Sequence, residues 1–570
     1  MYDYAWCHVY WTIPPAIALW YLGRKWRTYR DVFKTCVLIA IAVTSTTPWD
    51  SFLIRHSIWS YPPESILGPT LFSIPLEEVF FFIIQTYITS TLYHLLSKAV
   101  IHPFYLQRQP SKRVRVGHVL GIVALGYICQ TSILMLALEG KAYYMSLILA
   151  WACPFLLLLW TLAGTHILHL PWYASVAPIV LPTAYLWVVD TIALRRGTWV
   201  IESATKLEIH LWEGLDVEEA VFFLLTNTLI VFGLIACDFS FALHDALPGQ
   251  YTHSVHPTPA SIISALIQPY SPASLVKLQQ FQSVQRILEE KSKSFSFAAI
   301  AFEGQLQLAL PCLYAVCRVV DDAVDESPSF QVTQARVKAV LEVLQGRPQP
   351  QTKSSDEKDV AVLTAEEVQA VMLYNTLDLP FSLFEELLAG FEMDAKFAQG
   401  QLPIVNEQAL QVYCERVASS VGEMCVRLAW RAHGCRLSEE QQGQVIRSAR
   451  AMGRALQLVN IARDVPADLR IGRIYLPGEA LRPSTVEEVR KLSKARKHLI
   501  EQANEIAGQH EYAIDLLPEQ ARIGMKAACR LYLKIGDKSR ERLDSGDVMS
   551  RARTGQWEKA KVLAALTFQG

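Results

Sequence analysis

The feature that most constrains this chain is where its apolar residues fall. Up to about residue 243 they form seven runs, near 4–23, 35–54, 71–97, 118–138, 143–164, 173–194 and 217–240. Each is close to the roughly 20 residues an α-helix needs to cross a bilayer. Backbone surrounded by hydrocarbon must satisfy its own hydrogen bonds, so such runs are expected to be helices. Composition agrees, with 51% of the 570 residues hydrophobic and only 19% charged. Beyond about residue 275 the pattern becomes ordinary amphipathic helix without strand-like alternation. The chain therefore reads as all-α: a seven-helix membrane domain over 1–243, a linker rich in Pro and small polar residues over 244–275, and a second helical domain over 276–570. GRPQPQTKSSDEKD at 346–359 reads as a surface insertion in that second domain. The basic cluster RKWRTYR follows the first apolar run instead of preceding it, which suits a retained membrane helix better than a signal peptide.

A net charge of −1 leaves no basic footprint for a nucleic-acid partner. The 11 cysteines include no CxxC pair and sit mostly in apolar surroundings, so buried reduced thiols are expected.

The membrane half is duplicated. Asp50, Trp59, Glu77, Glu78, Phe81 and Phe82 recur as Asp190, Trp199, Glu218, Glu219, Phe222 and Phe223, at an offset of 140 for the first two and 141 for the rest. The unit is three helices, joined by the fourth run. A shift of four helices restores the direction of travel, so the repeats are parallel and both acidic sets lie toward the face that carries the N-terminus. The loops at 24–34 and 98–117 are richer in Lys and Arg than the loops of that face. By the positive-inside rule the N-terminus points away from the cytosol and the second domain is cytosolic. His166 and His169, an HxxH pair, are expected in a short interfacial loop.

Carboxyl groups are expensive in such runs and mark candidate sites. Desolvation disfavours their charged form, and a neutral acid can protonate a base as weak as an alkene. The carbocation so formed is stabilised by aromatic faces without being quenched. Glu78 and Glu219 each have two phenylalanines three and four residues on, sharing a helix face. Adjacent residues point about 100° apart, so the pairs Glu77/Glu78 and Glu218/Glu219 divide, with the second member favoured for the pocket. Asp50 and Asp190 complete the candidate acid/base set. The same helical plan also suits a small-solute transporter, in which the acids would be substrate or proton ligands.

In the second domain two stretches carry the chemistry, YAVCRVVDDAVDE (314–326) and QLVNIARDVPADLRIGRIYLP (457–477). Asp321 and Asp325 are four apart, as are Asn460, Asp464 and Asp468, so each set lines one helix face. Two such faces across a bundle would make an acidic cavity suited to Mg²⁺, which takes one or two carboxylates, waters and phosphate oxygens. Arg318, Arg463 and Arg473 are placed to take further negative charge.

With KSKSF (291–295), GFEMD (390–394) and YCERVASSVGEM (413–424), these stretches resemble the squalene/phytoene synthase family over essentially all of 276–570. The resemblance implies an all-α isoprenoid synthase fold and head-to-head condensation of two prenyl diphosphates. Carried over, Asp321, Asp325, Asn460, Asp464 and Asp468 would be ligands of Mg²⁺, with Mn²⁺ the alternative. Tyr314, Arg318, Gln457 and Arg463 would line the ionisation site, and Ser292, Ser294, Phe295, Tyr413 and Arg473 would surround the diphosphates. FEMDAK departs from the methionine and leucine common in the family at that point. Ala298 and Ala299 would leave room for a C20 tail. PLEE with its Asp and Trp companions resembles the small membrane lycopene cyclases, and the whole chain resembles fungal fusions of such a cyclase with a phytoene synthase. That implies geranylgeranyl diphosphate and lycopene as substrates, a lipid bilayer as surroundings, other carotenoid enzymes as candidate partners, and no cofactor for the membrane half. The competing expectation is a squalene-type synthase carried on a transporter or anchor.

Overall fold

A computed structural model describes the chain except residues 1, 108–109, 139, 202–204, 249, 251–257, 292–301, 303, 326–329, 348–350, 354–358, 479–484, 553–554, 556–557, 559–560, 563–564 and 566–570. The chain divides into two compact units, Met1–Leu278 and Gln279–Gly570.

In the first unit the opening apolar run is helical through Asp3–Cys7 (α1), a π-helical turn at His8–Thr12, and Ile13–Gly23 (α2). Six longer helices follow: Tyr29–Arg55 (α3), Leu76–Ser97 (α4), Lys112–Met135 (α5), Tyr143–His169 (α6), Ala177–Arg196 (α7) and Val217–Ala246 (α8). Among the described residues these six are long and apolar enough to cross a membrane. Helix α3 starts at a capping box in which Thr28 and Asp31 exchange side-chain and backbone bonds. Helix α7 stops at Gly197, whose φ of 68° is the left-handed conformation that glycine adopts freely. The stretch expected as a linker contains a further helix, Pro259–Ile267 (α9), which packs on α8 with Ile262 against Cys237 and Phe241. His166 and His169 are not in a loop, as expected from sequence, but in the last turns of α6. The apolar ILHL stretch keeps that helix going, and His166 is buried 3.2 Å from His102.

The duplication is visible as structure. Each copy contains a two-residue strand, a short hairpin, and then the helix that begins with paired glutamates. In the first copy these are Trp59–Ser60 (β1), Thr70–Leu71 (β2) with Ile74–Pro75 (β3), and α4. In the second they are Val200–Ile201 (β4), His210–Trp212 (β5) with Leu215–Asp216 (β6), and α8. The copies are stitched together by β1 pairing antiparallel with β4, Trp59 opposite Ile201. Deeper in, Gln85 donates to Thr226, its own counterpart at the 141-residue offset, at 3.0 Å.

The second unit is built on the 30-residue helix Glu439–Asp468, which the helices Ser420–His433, Val486–His510 and Glu519–Asp544 surround. Its start is a capping box between Ser438 and Gln441. Gly453 lies against the backbone of Ala418, and Gly422 against that of Ala449, so a side chain at either would force the two helices apart. Leu458, Val459 and Ala462 pack on Leu499, Ile500 and Ala503 to form the core behind the acidic face. The helix Gly304–Asp325 carries the other acidic stretch. The insertion near 346–359 includes a two-stranded pairing, Gln351–Lys353 with Asp359–Ala361.

Candidate active sites

In the first unit both repeats deliver their acids to one aromatic core. Tyr4, Trp49, Trp59, Phe81, Phe82, Tyr144, Trp199, Phe222 and Phe223 form a single buried cluster. Contacts cross between copies reciprocally, Tyr4 lying 5.1 Å from Trp199 and Tyr144 lying 6.4 Å from Trp59. Trp49 stacks on Phe222 at 5.5 Å with the planes 7° apart. Glu78, Glu219, Asp50 and Asp190 are all buried in these surroundings, and Asp50 lies within electrostatic reach of both Glu78 and Glu219.

The members of each glutamate pair have different partners, as the 100° turn between neighbours requires. The first ties down the loop before its helix: Glu77 accepts from the Leu67 N–H at 2.5 Å, and Glu218 from the Leu207 N–H at 2.7 Å. The second accepts from tyrosine hydroxyls in the aromatic core. Tyr4 and Tyr61 donate to Glu78, the latter at 2.6 Å, and Tyr144 donates to Glu219 at 2.7 Å. Asp190 accepts from the Trp199 indole at 3.2 Å. Neither oxygen of Asp50 has a hydrogen-bond partner among the described residues.

In the second unit a cavity of about 900 Å³ opens between the two acidic helices. Asp321 from one side and Asn460, Asp464 and Asp468 from the other line it, together with Tyr314, Arg318, Gln457, Arg463, Tyr413 and Arg473. Arg318 donates to Asp321 at 2.8 Å and pairs also with Asp322. Arg463 grips Asp464 through two bonds of 2.8 and 2.5 Å, and Arg551 adds a third at 2.6 Å. Burial pushes the Asp464 carboxyl up, but the two guanidiniums outweigh it and hold the group below the usual carboxylate range. Asp325 stands at the end of its helix, while Ser292, Ser294 and Phe295, with Ala298 and Ala299, lie outside the described residues.

The Lycopene cyclase family model matches residues 3–96 and the Squalene/phytoene synthase model matches residues 288–558. A bifunctional lycopene cyclase/phytoene synthase of Gibberella fujikuroi is 40% identical over 567 residues, covering 97% of each chain. The chain belongs to the bifunctional lycopene cyclase/phytoene synthase family. A second member, from Leptosphaeria maculans, is 40% identical over 555 residues and 94% of each chain. A crystal structure of a dehydrosqualene synthase overlaps 52% of this chain and 98% of its own, at 21% identity and a TM-score of 0.40.

Squalene/phytoene synthase enzymes generally use a divalent metal, and the donors present in this family member fit one. The Asn460 carbonyl oxygen is buried without a hydrogen-bond partner among the described residues, and it shares the cavity with the carboxylates of Asp321, Asp464 and Asp468 as well as Asp394. Among the described residues no three acidic, His or Cys side chains converge into a ready-made cage. Oxygen donors spread over two walls suit a hard cation that completes its shell with water and phosphate.

Sequence reasoning missed several lining groups. Asp394, in GFEMD, is buried and accepts from Tyr413 at 3.1 Å and Tyr475 at 2.7 Å, so it orients a residue already picked out. Arg551 carries no motif and reaches Asp464 only through the fold. Tyr4 and Tyr144 were legible, since they recur at the same 140-residue offset as Asp50 and Asp190.

Proposed function

We propose that the two units perform successive kinds of carotenoid chemistry. The second condenses two geranylgeranyl diphosphates to phytoene, and the first closes lycopene ends to β-rings, giving γ- and β-carotene. The observation that carries this reading is the match over 97% of the chain to a relative named for both activities. A distinct acidic set in each unit supports it. A squalene-type synthase on a transporter is set aside, because that match runs through both units.

In the synthase unit Asp321, Asp325, Asn460, Asp464 and Asp468 would hold Mg²⁺ or Mn²⁺, which when bound neutralises the diphosphate and makes it a better leaving group. Arg318, Arg463 and Arg473 would orient the remaining phosphate charge, with Ser292, Ser294 and Tyr413 beside it. Tyr314 and Gln457 would border the ionising carbon, and the apolar wall, with Phe295, would keep water from the allylic cation. In the membrane unit an acid protonates the terminal alkene, the neighbouring double bond closes the ring, and a proton leaves. The sequence is redox-neutral. Phe81, Phe82, Phe222 and Phe223 would face the cation, and Glu77 and Glu218 would brace the loops. The long apolar helices suit a bilayer, and the Lys/Arg distribution favours a cytosolic synthase unit with the N-terminus on the opposite face.

The test is expression in one host that supplies geranylgeranyl diphosphate and another that accumulates lycopene. Phytoene is expected in the first and β- or γ-carotene in the second. Unaltered lycopene would sink the cyclase half, and absence of phytoene the synthase half.

A further inference from the structure

The two copies of the membrane repeat are not chemically equal. Tyr4 and Tyr144 each give a hydroxyl to the second glutamate of their own copy. Tyr61 has no counterpart, because the 140-residue offset leads to Ile201. Glu78 therefore accepts two hydroxyls, both on Oε2. Glu219 accepts one, on Oε1, and its Oε2 is buried with no partner among the described residues. The aspartates differ as well. Trp199 donates to Oδ1 of Asp190, whose Oδ2 is left without a partner among the described residues, whereas both oxygens of Asp50 and the Trp59 indole nitrogen are without partners there.

A carboxylate only accepts hydrogen bonds, whereas a protonated carboxyl carries one O–H donor. An oxygen that takes two hydroxyls is built for the anion, since donated bonds favour the charged form. A buried oxygen with no donor is costly as part of an anion, but it can carry an O–H aimed at an alkene. The Tyr144 bond to the other oxygen then fixes the direction of that O–H. Asp50 has no such bond to orient it. Like Glu78, Glu219 is followed one turn on by two phenylalanines, Phe222 and Phe223, whose rings lie 5.5 and 6.1 Å from those of Trp49 and Phe81, so a cation formed beside it would meet aromatic faces.

Resting on the cyclase reading above, the geometry points to a division of labour: Glu219 is the proton donor and Glu78 the proton acceptor of cyclisation, with Tyr61 the positioning residue that sets them apart. The Glu219 O–H bond breaks and its proton is taken by the π pair of the terminal alkene at the CH carbon, leaving the cation on the dimethyl carbon. The electron pair of the neighbouring double bond forms the ring C–C bond, moving the cation into the ring. A C–H bond beside that cation breaks, its electrons form the ring double bond, and its proton passes to Glu78. Return of one proton to Glu219, past Asp50, resets the site.

The experiment supplies lycopene to the full chain and its variants, measuring both lycopene consumed and the position of the ring double bond. Glu219→Gln is expected to lower consumption by about a hundredfold or more, the scale of a lost general acid, with no ring product. Glu78→Gln is expected to keep consuming lycopene while rings with a displaced double bond outnumber β-rings, since proton loss is no longer directed. Tyr61→Phe should give a mixture of ring isomers with consumption within about tenfold of wild type. Glu219→Asp, expected to regain part of the turnover, and phytoene output from the same chains separate lost chemistry from lost folding. The assignment is overturned if Glu78→Gln blocks consumption while Glu219→Gln only moves the double bond, or if both variants give one pattern. Arrest by Asp50→Asn with turnover surviving in Glu219→Gln would overturn it too. A wild-type chain that left lycopene untouched would instead overturn the cyclase reading itself.

Discussion

The two units use the same side chain, a carboxyl, in opposite company. In the membrane unit Glu78, Glu219, Asp50 and Asp190 are buried among aromatic rings, and the hydrogen bonds they receive come from tyrosine hydroxyls and an indole. In the synthase unit Asp321 and Asp464 border a large cavity and are gripped by Arg318, Arg463 and Arg551. Neutral donors around a buried acid leave it able to exchange a proton, whereas guanidiniums hold it ionised and ready for a cation. What surrounds a carboxyl, more than its identity, decides which chemistry it does.

The contrast is tested most severely by removing metal. Chelation of divalent cations, or Asp321→Ala, should lower phytoene formation by on the order of 10²–10³-fold, as for a lost charge-stabilising group. Lycopene cyclisation by the same chain should not change. A parallel fall in cyclisation under chelation would mean that the two sites are not chemically separate. A smaller effect is expected from Arg496→Ala. The buried Arg496 guanidinium donates to the Ala462 carbonyl at 2.7 Å, behind the helix that carries Asp464, and burial lowers its pKa to about 10. Losing it orphans buried carbonyls and should cost about 1–3 kcal/mol of stability. Phytoene formation should then fail at a lower temperature, while cyclisation persists. The smallest effect should come from Glu77→Gln, which weakens one bond to the Leu67 N–H. That is worth about 1 kcal/mol, so cyclisation should fall by less than about tenfold. A loss as deep as that of Glu219→Gln would mean that the first glutamate, too, does chemistry.

Much of this was legible before folding. Apolar runs of spanning length leave the backbone little choice but helix, and the duplication of acids, tryptophans and phenylalanines marked the parallel repeats. Helical spacing placed Asn460, Asp464 and Asp468 on one face, and the cavity is lined by all three. The same periodicity separated Glu78 from Glu77, although it could not say what each would touch. Apolar continuity also took α6 through His166 and α8 to Ala246, beyond the ends expected from composition, because neighbouring helices cover residues that look like boundary polar groups in sequence.

By itself, then, the sequence determined the helical class, the two-part organisation, the repeat and the acidic faces, all of which follow from periodicity and composition along the chain. Only the tertiary structure decided the company each acid keeps. Tyr61 meets Glu78 across 17 residues, Tyr144 meets Glu219 across 75, and Arg551 meets Asp464 across 87. No local pattern encodes such pairings, because a hydrogen bond depends on where two segments come together and not on their spacing in the chain.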